Sequence, residues 1–529
     1  MSTPSPAAPA PGQRNETVVV LALSLAAMVV SMMQTLPVPI LGLIRDDLGV
    51  STADVSWVTT ATLLSAAVFT PLLGRFGDQH GKKPTLVAVL GVMVAGSVLT
   101  ALASSLPLLI LGRVLQGAAT AIFPLALSVL REEIRPQKLP GAMALVSGTL
   151  AFGSGLALVA TGLLTSGPGA DYRDAFWMAT GLAVLALLAV LVLVPATRTR
   201  TGGRTDFLGA LTLGAALLLL LLAISQGQEW GWTSGRTLGS FAGAAVMAAV
   251  WVVTELKVRE PLVDMKMFVH RPVLMANLAG LLVGFGMFAS FLGVSYLVQM
   301  PEALTGYGFD ASILRASVQF LLPSAVVSLL ASPLGGRIVR HRGPRAALGV
   351  AAALGTGGFA WLAVDHSHAF SVIGAGVVVG AAVSFGYAAM PAVIMSSVPP
   401  HQSGIANGIN SISRSTGSAI GSAVVTTILA SRTIEHLPAG VPPLPAESGF
   451  TLTFAIGAAA FALVALIGRF GLRAGHRPAA APARPAAAGP AASAEPVSAE
   501  PVRADAAGCP GDRRSGVPAA RPCVSFAQG

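Results

Sequence analysis

The sequence predicts an all-α integral membrane protein with fourteen transmembrane helices. Only 11% of its 529 residues are charged, 53% are hydrophobic, and the mean hydropathy is +0.73. A soluble domain carries about 25% charged residues, because water must wet its surface. A soluble protein of this composition is therefore excluded. The net charge of +10 rests on so few charged side chains that it favours a lipid bilayer over nucleic acid as the partner.

Each helix is predicted from a run of about 20 mainly apolar residues, which is the length that crosses a hydrocarbon layer about 30 Å thick. The predicted spans are 17–40, 52–74, 84–104, 106–130, 140–165, 175–195, 206–226, 239–257, 273–299, 311–335, 345–364, 369–398, 404–431 and 450–472.

The basic residues predict the orientation. With the N-terminus inside, the inner loops hold about 17 Lys and Arg and the outer loops about 4, as expected for cytoplasmic and external loops. The outer four are Arg45, Arg173, Arg236 and Arg432. Since the number of spans is even, both termini are predicted to lie in the cytoplasm, with the chain in the cell membrane.

The two ends of the chain are predicted to be tails. Residues 1–16 precede the first span, and residues 474–529 form an Ala/Pro-rich segment with too few bulky apolar residues for a core. Both cysteines, Cys509 and Cys523, lie in the second tail. Two unclustered thiols predict neither a disulfide framework nor a metal site. The sequence predicts no cofactor.

The loop after the second span carries the most specific local pattern, Gly74, Asp78, Gly81, Lys82 and Lys83. Glycine permits close helix approach and tight turns, and an aspartate can pair with basic groups or cap a neighbouring helix. The pattern resembles the G-x-x-x-D-R-x-G-R-R/K loop of the major facilitator superfamily. The resemblance implies a latch that opens and closes between inward-open and outward-open states. Alternatively, the two lysines only anchor the loop inside.

A second copy of this pattern occurs about 260 residues later, and such internal repeats are typical of transporters built from two halves. It keeps Gly336 and Gly343, but Arg340 stands in the acidic position. The second latch is therefore predicted to lack its acidic partner. The predicted organisation is a six-helix bundle over 17–195, two inserted helices over 206–257 and a six-helix bundle over 273–472.

The fourth span contains Arg113 and Gln116 in the order R-x-x-Q-G. An arginine at membrane depth costs at least about 2.5–3.5 kcal/mol, so it faces a cavity or a partner. The order resembles a superfamily motif in which this arginine is linked to proton transfer. The alternative is a structural arginine bonded to backbone carbonyls.

The fifth span carries closely spaced glycines, which favour tight helix packing. They are Gly148, Gly153, Gly155 and Gly162. The spacing is similar to the antiporter motif of exporters, although Ala157 and Leu158 replace the expected Gly-Pro pair. Simple helix packing explains the same pattern nearly as well.

Further stretches resemble the fourteen-span drug/proton antiporter family (EmrB/QacA-like). They are 171–181, the region from Asp206 to Trp232, 260–264 and 403–421. The first span departs from that family, because Ser31 to Pro37 lacks the acidic residue that the family often has there.

The spans contain three arginines and a few amides but no Asp, Glu or His well inside any span. The arginines are Arg113, Arg315 and Arg414, and the amides include Gln34, Gln116, Gln319, Asn407 and Asn410. This favours neutral or anionic amphipathic substrates and leaves the proton-carrying residue undefined, with Asp78 and Asp54 as candidates. The pattern Ser51-Thr-Ala-Asp54 also reads as a capping box.

Met32, Met33 and Gln34, near Pro37, are predicted to offer a soft contact surface in the cavity, or else to pack between helices. The predicted function is a secondary exporter of drug-like or antibiotic small molecules that works by alternating access and is coupled to proton entry. The alternatives are an uncoupled metabolite exporter or facilitator, or a membrane sensor or scaffold of the same fold. An enzyme is not predicted, since no nucleophile–base pair or metal cluster lies at membrane depth.

Overall fold

A computed structural model describes residues 16–165, 171–196, 206–258, 261–399, 402–434, 438 and 443–471. Several predictions therefore fall outside the described residues. They concern most of the first tail, the tail 474–529 with Cys509 and Cys523, residue 472 of the last span, and Glu260.

Fourteen long helices account for most of the described chain. They are α1 (Glu16–Thr35), α2 (Thr52–His80), α3 (Lys82–Ala101), α4 (Leu106–Glu133), α5 (Leu139–Leu164), α6 (Tyr172–Leu193), α7 (Phe207–Trp230), α8 (Gly235–Lys257), α9 (Arg271–Gln299), α10 (Ile313–Arg342), α11 (Pro344–Val364), α12 (Ala369–Ser397), α13 (Ser403–Ser431) and α14 (Glu447–Gly471). Within the described ranges there is no β-strand, only an isolated bridge between Thr433 and Pro445. The all-α prediction is confirmed.

Thirteen of these helices are long and apolar enough to cross a membrane. The fourteenth, α13, has 29 residues, but its sequence is rich in Ser, Thr and Asn and includes Arg414. More than half of its residues are buried, among them Asn407 and Asn410. Polar residues in a membrane helix are tolerated where they face the interior of the bundle.

Three helices are interrupted or change geometry along their length. After α1 the chain passes Pro37 and continues through the short helices Val38–Ile40 and Leu41–Leu48. Helix α4 tightens to 3₁₀ geometry over Ala118–Ala121, and α10 opens to π-helical geometry over Ala316–Leu321. Such irregular turns are often functional in helical proteins.

The second helix corrects one predicted boundary. Helix α2 runs to His80 instead of residue 74, and Gly81, with φ +112°, ends it. Asp78 therefore lies in the last turn of a helix and not in a loop. This adds a carboxylate to the end of a long helix, beyond the predicted span 52–74.

The apolar interior is divided into two large clusters. One is formed by buried side chains of α1 to α6, together with Met395. The other is formed mainly by α9 to α14, with contributions from α7 and α8. The chain thus forms an N-terminal half and a C-terminal half, each with its own core.

The two halves meet along two seams. In one seam α5 packs against α10, and in the other α2 packs against α13. The hairpin of α7 and α8 lies beside the second seam, because α7 packs on both α2 and α13. A small apolar cluster joins these three helices through Leu64, Ala67, Leu221, Ile224 and Ala419.

Candidate functional site

Asp78 binds the N-terminus of a helix in the other half. Its side chain is 2% exposed, and its Oδ2 accepts a hydrogen bond from the backbone N–H of Gly404 at 3.1 Å. The N–H of Ile405 also bonds this carboxylate. Both donors belong to the first turn of α13, where unpaired N–H groups and the helix dipole favour an anion. Asp78 therefore caps α13 across the seam.

Gly74 lies one turn before Asp78 and allows this approach. A Cβ at Gly74 would lie 3.1 Å from the carbonyl oxygen of Gly404. A larger residue would push the two helices apart. We call the end of the helices where this contact lies the Asp78 end.

The two predicted loop lysines have different partners. Lys82 is 3% exposed and forms an ion pair with Glu132 at the end of α4. Lys83 is on the surface, and its Nζ donates to the carbonyl oxygen of Leu191 at 3.0 Å. Lys82 thus belongs to the buried polar group around Asp78, whereas Lys83 binds the last turns of α6.

Arg131 makes a further contact between the halves, and no motif identifies it. Its Nη2 donates to the carbonyl oxygen of Val398, just after α12, at 3.2 Å. Beside it, the hydroxyls of Ser128 and Ser403 are 3.3 Å apart. The only local signal is that Arg131 lies at the end of an apolar helix, as many membrane-anchoring arginines do.

The second copy of the motif reproduces the helix contact but not the charge. A Cβ at Gly336 would lie 2.7 Å from Gly141 Cα and 2.9 Å from the Pro140 oxygen, at the start of α5. Arg340 is exposed, and its guanidinium contacts its neighbour His341. Gly343 has φ +85° and separates α10 from α11, as Gly81 separates α2 from α3. The start of α5 has no side-chain cap.

Arg113 is held by backbone carbonyls. It is 1% exposed, its Nε donates to the Val58 oxygen at 3.0 Å, and its Nη1 donates to the Met33 oxygen at 3.0 Å. It also bonds Gln116, whose Nε2 donates to Ser97 Oγ and Thr100 Oγ1, each at 3.1 Å. These contacts join α4 to α1, α2 and α3. They are the contacts expected of the structural alternative.

The prediction that Met33 lines a cavity needs correction. Met32 and Met33 are 1% and 2% exposed and belong to the apolar core of the N-terminal half. The Met33 sulfur accepts a hydrogen bond from Ser97 at 3.7 Å. Gln34 is half-buried. The orientation of α1 about its axis places both methionines in the core of the N-terminal half. This favours the alternative in which they pack between helices.

Arg414 is the buried cation of the C-terminal half. Its guanidinium bonds Asn410 Oδ1 and Ser411 Oγ, each at 3.3 Å. Asn410 in turn donates to the Ala276 oxygen at 3.1 Å and to Asn277 Oδ1 at 3.2 Å in α9. Asn407 is 1% exposed and donates to the Ser403 oxygen at 2.9 Å.

Arg315 does not join this group. It is exposed in the first turn of α10, where its Nε donates to Gln319 Oε1 at 2.9 Å and its Nη1 donates to the Phe309 oxygen at 3.2 Å. The prediction that Arg315 is a coupling or cavity residue therefore needs correction. Because α10 begins only two residues earlier, Arg315 lies at the exposed end of the helix.

Three of the α5 glycines face the other half. A Cβ at Gly148 would lie 2.5 Å from Ser332 Cβ, and one at Gly155 would lie 2.4 Å from Ala325 Cβ. Gly162 lies against Leu314 in the same way, at 3.3 Å. Gly153 instead faces α1, 2.5 Å from the Met28 oxygen. The spacing of seven residues places one glycine on the α10 side every second turn.

Ser51 caps α2 through Asp54, which is one half of the predicted capping box. Ser51 Oγ accepts from the Asp54 N–H at 3.1 Å and donates to Asp54 Oδ2 at 2.7 Å. The contacts of Asp54 with Ser51 are therefore those of a residue at the start of a helix.

Glu255 is a buried acid that no local pattern singles out. It lies near the end of α8 and is 3% exposed. Its oxygens accept from Trp251 Nε1 at 2.8 Å and from the Val263 N–H at 3.2 Å. It lies in the inserted hairpin, apart from the seam residues described above.

A cavity lies between the halves. Helices α1 and α5 contribute Thr35, Ala151, Ser154 and Gly155 from the N-terminal half. The C-terminal half contributes α9, α10 and α12, including Phe288, Phe291 and Ser328. Because its walls come from both halves, a movement of one half against the other changes access to it.

The chain was compared with known proteins. Residues 23–422 match the profile of the Major Facilitator Superfamily. The chain is 28% identical over 424 residues to a tetracenomycin C resistance and export protein of Streptomyces glaucescens, covering 79% of this chain and 77% of that protein. It is 30% identical over 409 residues to the cephamycin export protein CmcT of Amycolatopsis lactamdurans, covering 74% and 80%.

A lincomycin resistance protein of Streptomyces lincolnensis is 29% identical over 391 residues, covering 73% of this chain and 78% of that protein. Among solved structures, the human organic anion transporter MFSD10 (TETRAN) aligns with a TM-score of 0.58 and 17% identity. The alignment covers 86% of this chain and 99% of that one. At this identity the likeness concerns the fold alone.

The family profile spans most of the described helices and both halves, and the motif residues Asp78 and Arg113 lie within it. The chain belongs to the major facilitator superfamily and is a membrane transporter, not an enzyme.

Proposed function

We propose that this transporter exports small amphipathic molecules out of the cell by alternating access. The observation that carries the proposal is the contact of Asp78 with Gly404, which joins the two halves at one end of the molecule. The Arg131–Val398 contact lies at the same end. Breaking these bonds would let the halves separate there and open the cavity.

The proposed orientation places the Asp78 end at the cytoplasm, together with both termini, in the cell membrane. The distribution of Lys and Arg between the loops supports it. In this orientation the structure corresponds to a state closed toward the cytoplasm. The names of the relatives, which include antibiotic export and resistance proteins, support an antibiotic or another drug-like molecule as substrate.

We further propose that export is coupled to proton entry at Asp78. Its carboxylate is buried and accepts two backbone N–H bonds from α13. Protonation would remove the charge that these donors and the helix dipole stabilise. The bond between the halves would then weaken, so that proton binding and opening would be linked.

The second candidate function is an uncoupled exporter or facilitator. It is favoured by the cavity lining, which within the described residues contains no ionisable side chain that could exchange a proton for the substrate. A sensor or scaffold is disfavoured, because neither role needs a gate between the halves.

Export is tested by expression in a bacterial strain that lacks its own exporters. The chain is expected to raise tolerance to some toxic amphiphiles, and Asp78→Asn is expected to abolish the gain. A second variant, Gly376→Phe, fills the cavity, because a Cβ at Gly376 meets no atom within 4 Å and Gly376 lines the cavity.

The matched control is Gly357→Phe in α11, where a Cβ also meets no atom but the residue is exposed. The control is expected to keep the wild-type tolerance at equal expression. Equal tolerance in Gly376→Phe and wild type would contradict transport through this cavity. Coupling is tested in proteoliposomes, where an imposed pH gradient is expected to change the transport rate and a flat response supports the facilitator.

A further inference from the structure

The central cavity is lined without charge. Among the residues that the structure describes, none of the side chains that line it is Asp, Glu, Lys, Arg or His. A charged ligand in such a site would lose its hydration without gaining a counter-charge, which disfavours its binding. An uncharged ligand avoids this cost. The buried arginines do not alter this conclusion, since Arg113 and Arg414 are not among the lining residues.

One wall of the cavity is aromatic. Phe288 and Phe291 follow each other by one turn of α9, with ring centroids 6.0 Å apart and planes tilted by 53°. Met287 adds a polarizable side chain beside them. Such a wall packs against a ring-bearing molecule by stacking and edge contacts.

The facing wall offers one hydroxyl group that is unused. Ser328 of α10 lines the cavity and is 1% exposed, and its Oγ has no hydrogen-bond partner in the described chain. A buried hydroxyl without a partner is destabilising, and a ligand that bonds it removes this cost. A serine inside a helix often bonds the carbonyl four residues earlier, but Ser328 does not.

Ser324 provides the internal comparison. It lies one turn earlier on the same helix and lines the same cavity, but its Oγ donates to the Leu321 oxygen at 2.9 Å. Ser154, across the cavity, is likewise bonded to Ser31 and to the Leu150 oxygen. Of these three hydroxyls, only that of Ser328 is unpartnered.

We propose that this cavity selects an uncharged, ring-bearing molecule, and that the Ser328 hydroxyl donates a hydrogen bond to an oxygen of that molecule while Phe288 and Phe291 pack against its rings. The proposal rests on the proposed function, because it assigns a substrate class to the same cavity. It assigns a polar contact to Ser328 on the α10 wall and most of the affinity to the aromatic wall.

The test uses three naphthalene probes that differ mainly in charge. The first is prodan, an uncharged dimethylaminonaphthyl ketone, the second replaces its amine with trimethylammonium, and the third replaces its ketone with sulfonate. Binding to the full chain in lipid nanodiscs is followed by equilibrium dialysis, with Gly376→Phe as the cavity-filled background and Gly357→Phe as its control. Prodan is expected to bind about tenfold or more tightly than either charged probe.

The ketone of prodan also reports the hydrogen bond, since its emission moves to longer wavelength when the carbonyl accepts one. Ser328→Ala is expected to weaken prodan binding about fivefold, the effect of one net hydrogen bond. It should also move the emission of bound prodan to shorter wavelength. Ser324→Ala is expected to change neither quantity.

Tighter binding of either charged probe would overturn the uncharged class. Equal effects of Ser328→Ala and Ser324→Ala would overturn the role of Ser328, and prodan binding that persists in Gly376→Phe would overturn the assignment to this cavity. The export proposal can fail independently of this one. In that case prodan binds as predicted, but the chain confers no tolerance to toxic amphiphiles. Conversely, the chain could confer tolerance to charged drugs, and Gly376→Phe could abolish that tolerance. This result would support the export proposal and would contradict the uncharged substrate class.

Discussion

The guanidinium of Arg414 lies 4.5 Å from the ring centroid of Phe123, a residue of the other half. It also lies 4.9 Å from the ring centroid of Tyr387. Arg414 is thus a buried cation that contacts one aromatic ring from each half. A cation over an aromatic face contributes about 2 kcal/mol when it is desolvated. This contact adds to the Asp78 bond in holding the halves together.

Replacement of Phe123 by leucine is expected to favour separation of the halves at the Asp78 end, because it removes the cation–π contact while keeping an apolar side chain. Spin labels on α2 and α13 would measure the distance distribution, after replacement of Cys509 and Cys523. The control is Phe359→Leu, a buried phenylalanine within the C-terminal half. Identical distributions in the two variants would show that only packing is involved.

The Asp78→Asn substitution is expected to shift the same equilibrium toward the open state by about tenfold or more, since hydrogen bonds to a charged group contribute about 1.5–3 kcal/mol. The measurement is the rate at which a single cysteine in the cavity reacts with a membrane-impermeant reagent from the Asp78 side. Asp46→Asn removes an exposed carboxylate of similar charge and serves as control. An unchanged reaction rate in Asp78→Asn would argue against the gate.

A carboxylate in the second copy of the motif is expected to strengthen the contact that holds the two halves together at the Asp78 end. Arg340→Asp places an acid four residues after Gly336, as Asp78 follows Gly74, beside the uncapped start of α5. Slower transport with normal expression is expected. Arg337→Asp makes the same charge change at another exposed position three residues earlier. If Arg337→Asp slows transport as much as Arg340→Asp does, the change in net charge and not helix capping is responsible.

Substitutions of Arg113 separate its two proposed roles. Arg113→Leu leaves the buried oxygen of Met33 without this donor, and an unsatisfied buried group costs about 1–3 kcal/mol. It also removes one of the donors to the Val58 oxygen. A lower unfolding temperature in detergent is therefore expected. Arg113→Lys keeps the charge but cannot reproduce the guanidinium geometry. If it recovers stability but transport has an altered pH profile, proton transfer is favoured; if stability and transport fall together and the remaining transport keeps the wild-type pH profile, the role is structural.

The seam between α5 and α10 is expected to tolerate no added bulk. Gly155→Val would bring a side chain against Ala325, where even a Cβ lies 2.4 Å away. Transport should be lost through distortion of this contact. Gly181→Val, on an exposed face of α6 with no atom within 4 Å of its Cβ, is expected to be silent. Measurable transport in Gly155→Val would contradict tight glycine packing.

The helices and the first motif could be predicted from sequence because both depend on local order. Apolar runs give the helices, and Gly74 and Asp78 follow from spacing. The partner of Asp78 could not be predicted this way, because Gly404 lies 326 residues away and contributes only a backbone N–H. Likewise, the sequence could not show which methionine lines the cavity, since methionine is equally apolar in α1 and α9. The orientation of each helix about its axis buries Met33 and places Met287 at the cavity.

Helix α7 makes the two seams unequal toward the lipid. It covers the α2–α13 seam with apolar side chains, whereas α5 and α10 meet directly through small residues. The cavity draws lining residues from α5 and α10. A movement that parts α5 from α10 would therefore expose this wall of the cavity directly, whereas the α2–α13 seam would stay covered by α7. The inserted hairpin would thus make the two flanks of the transporter unequal whenever the halves move.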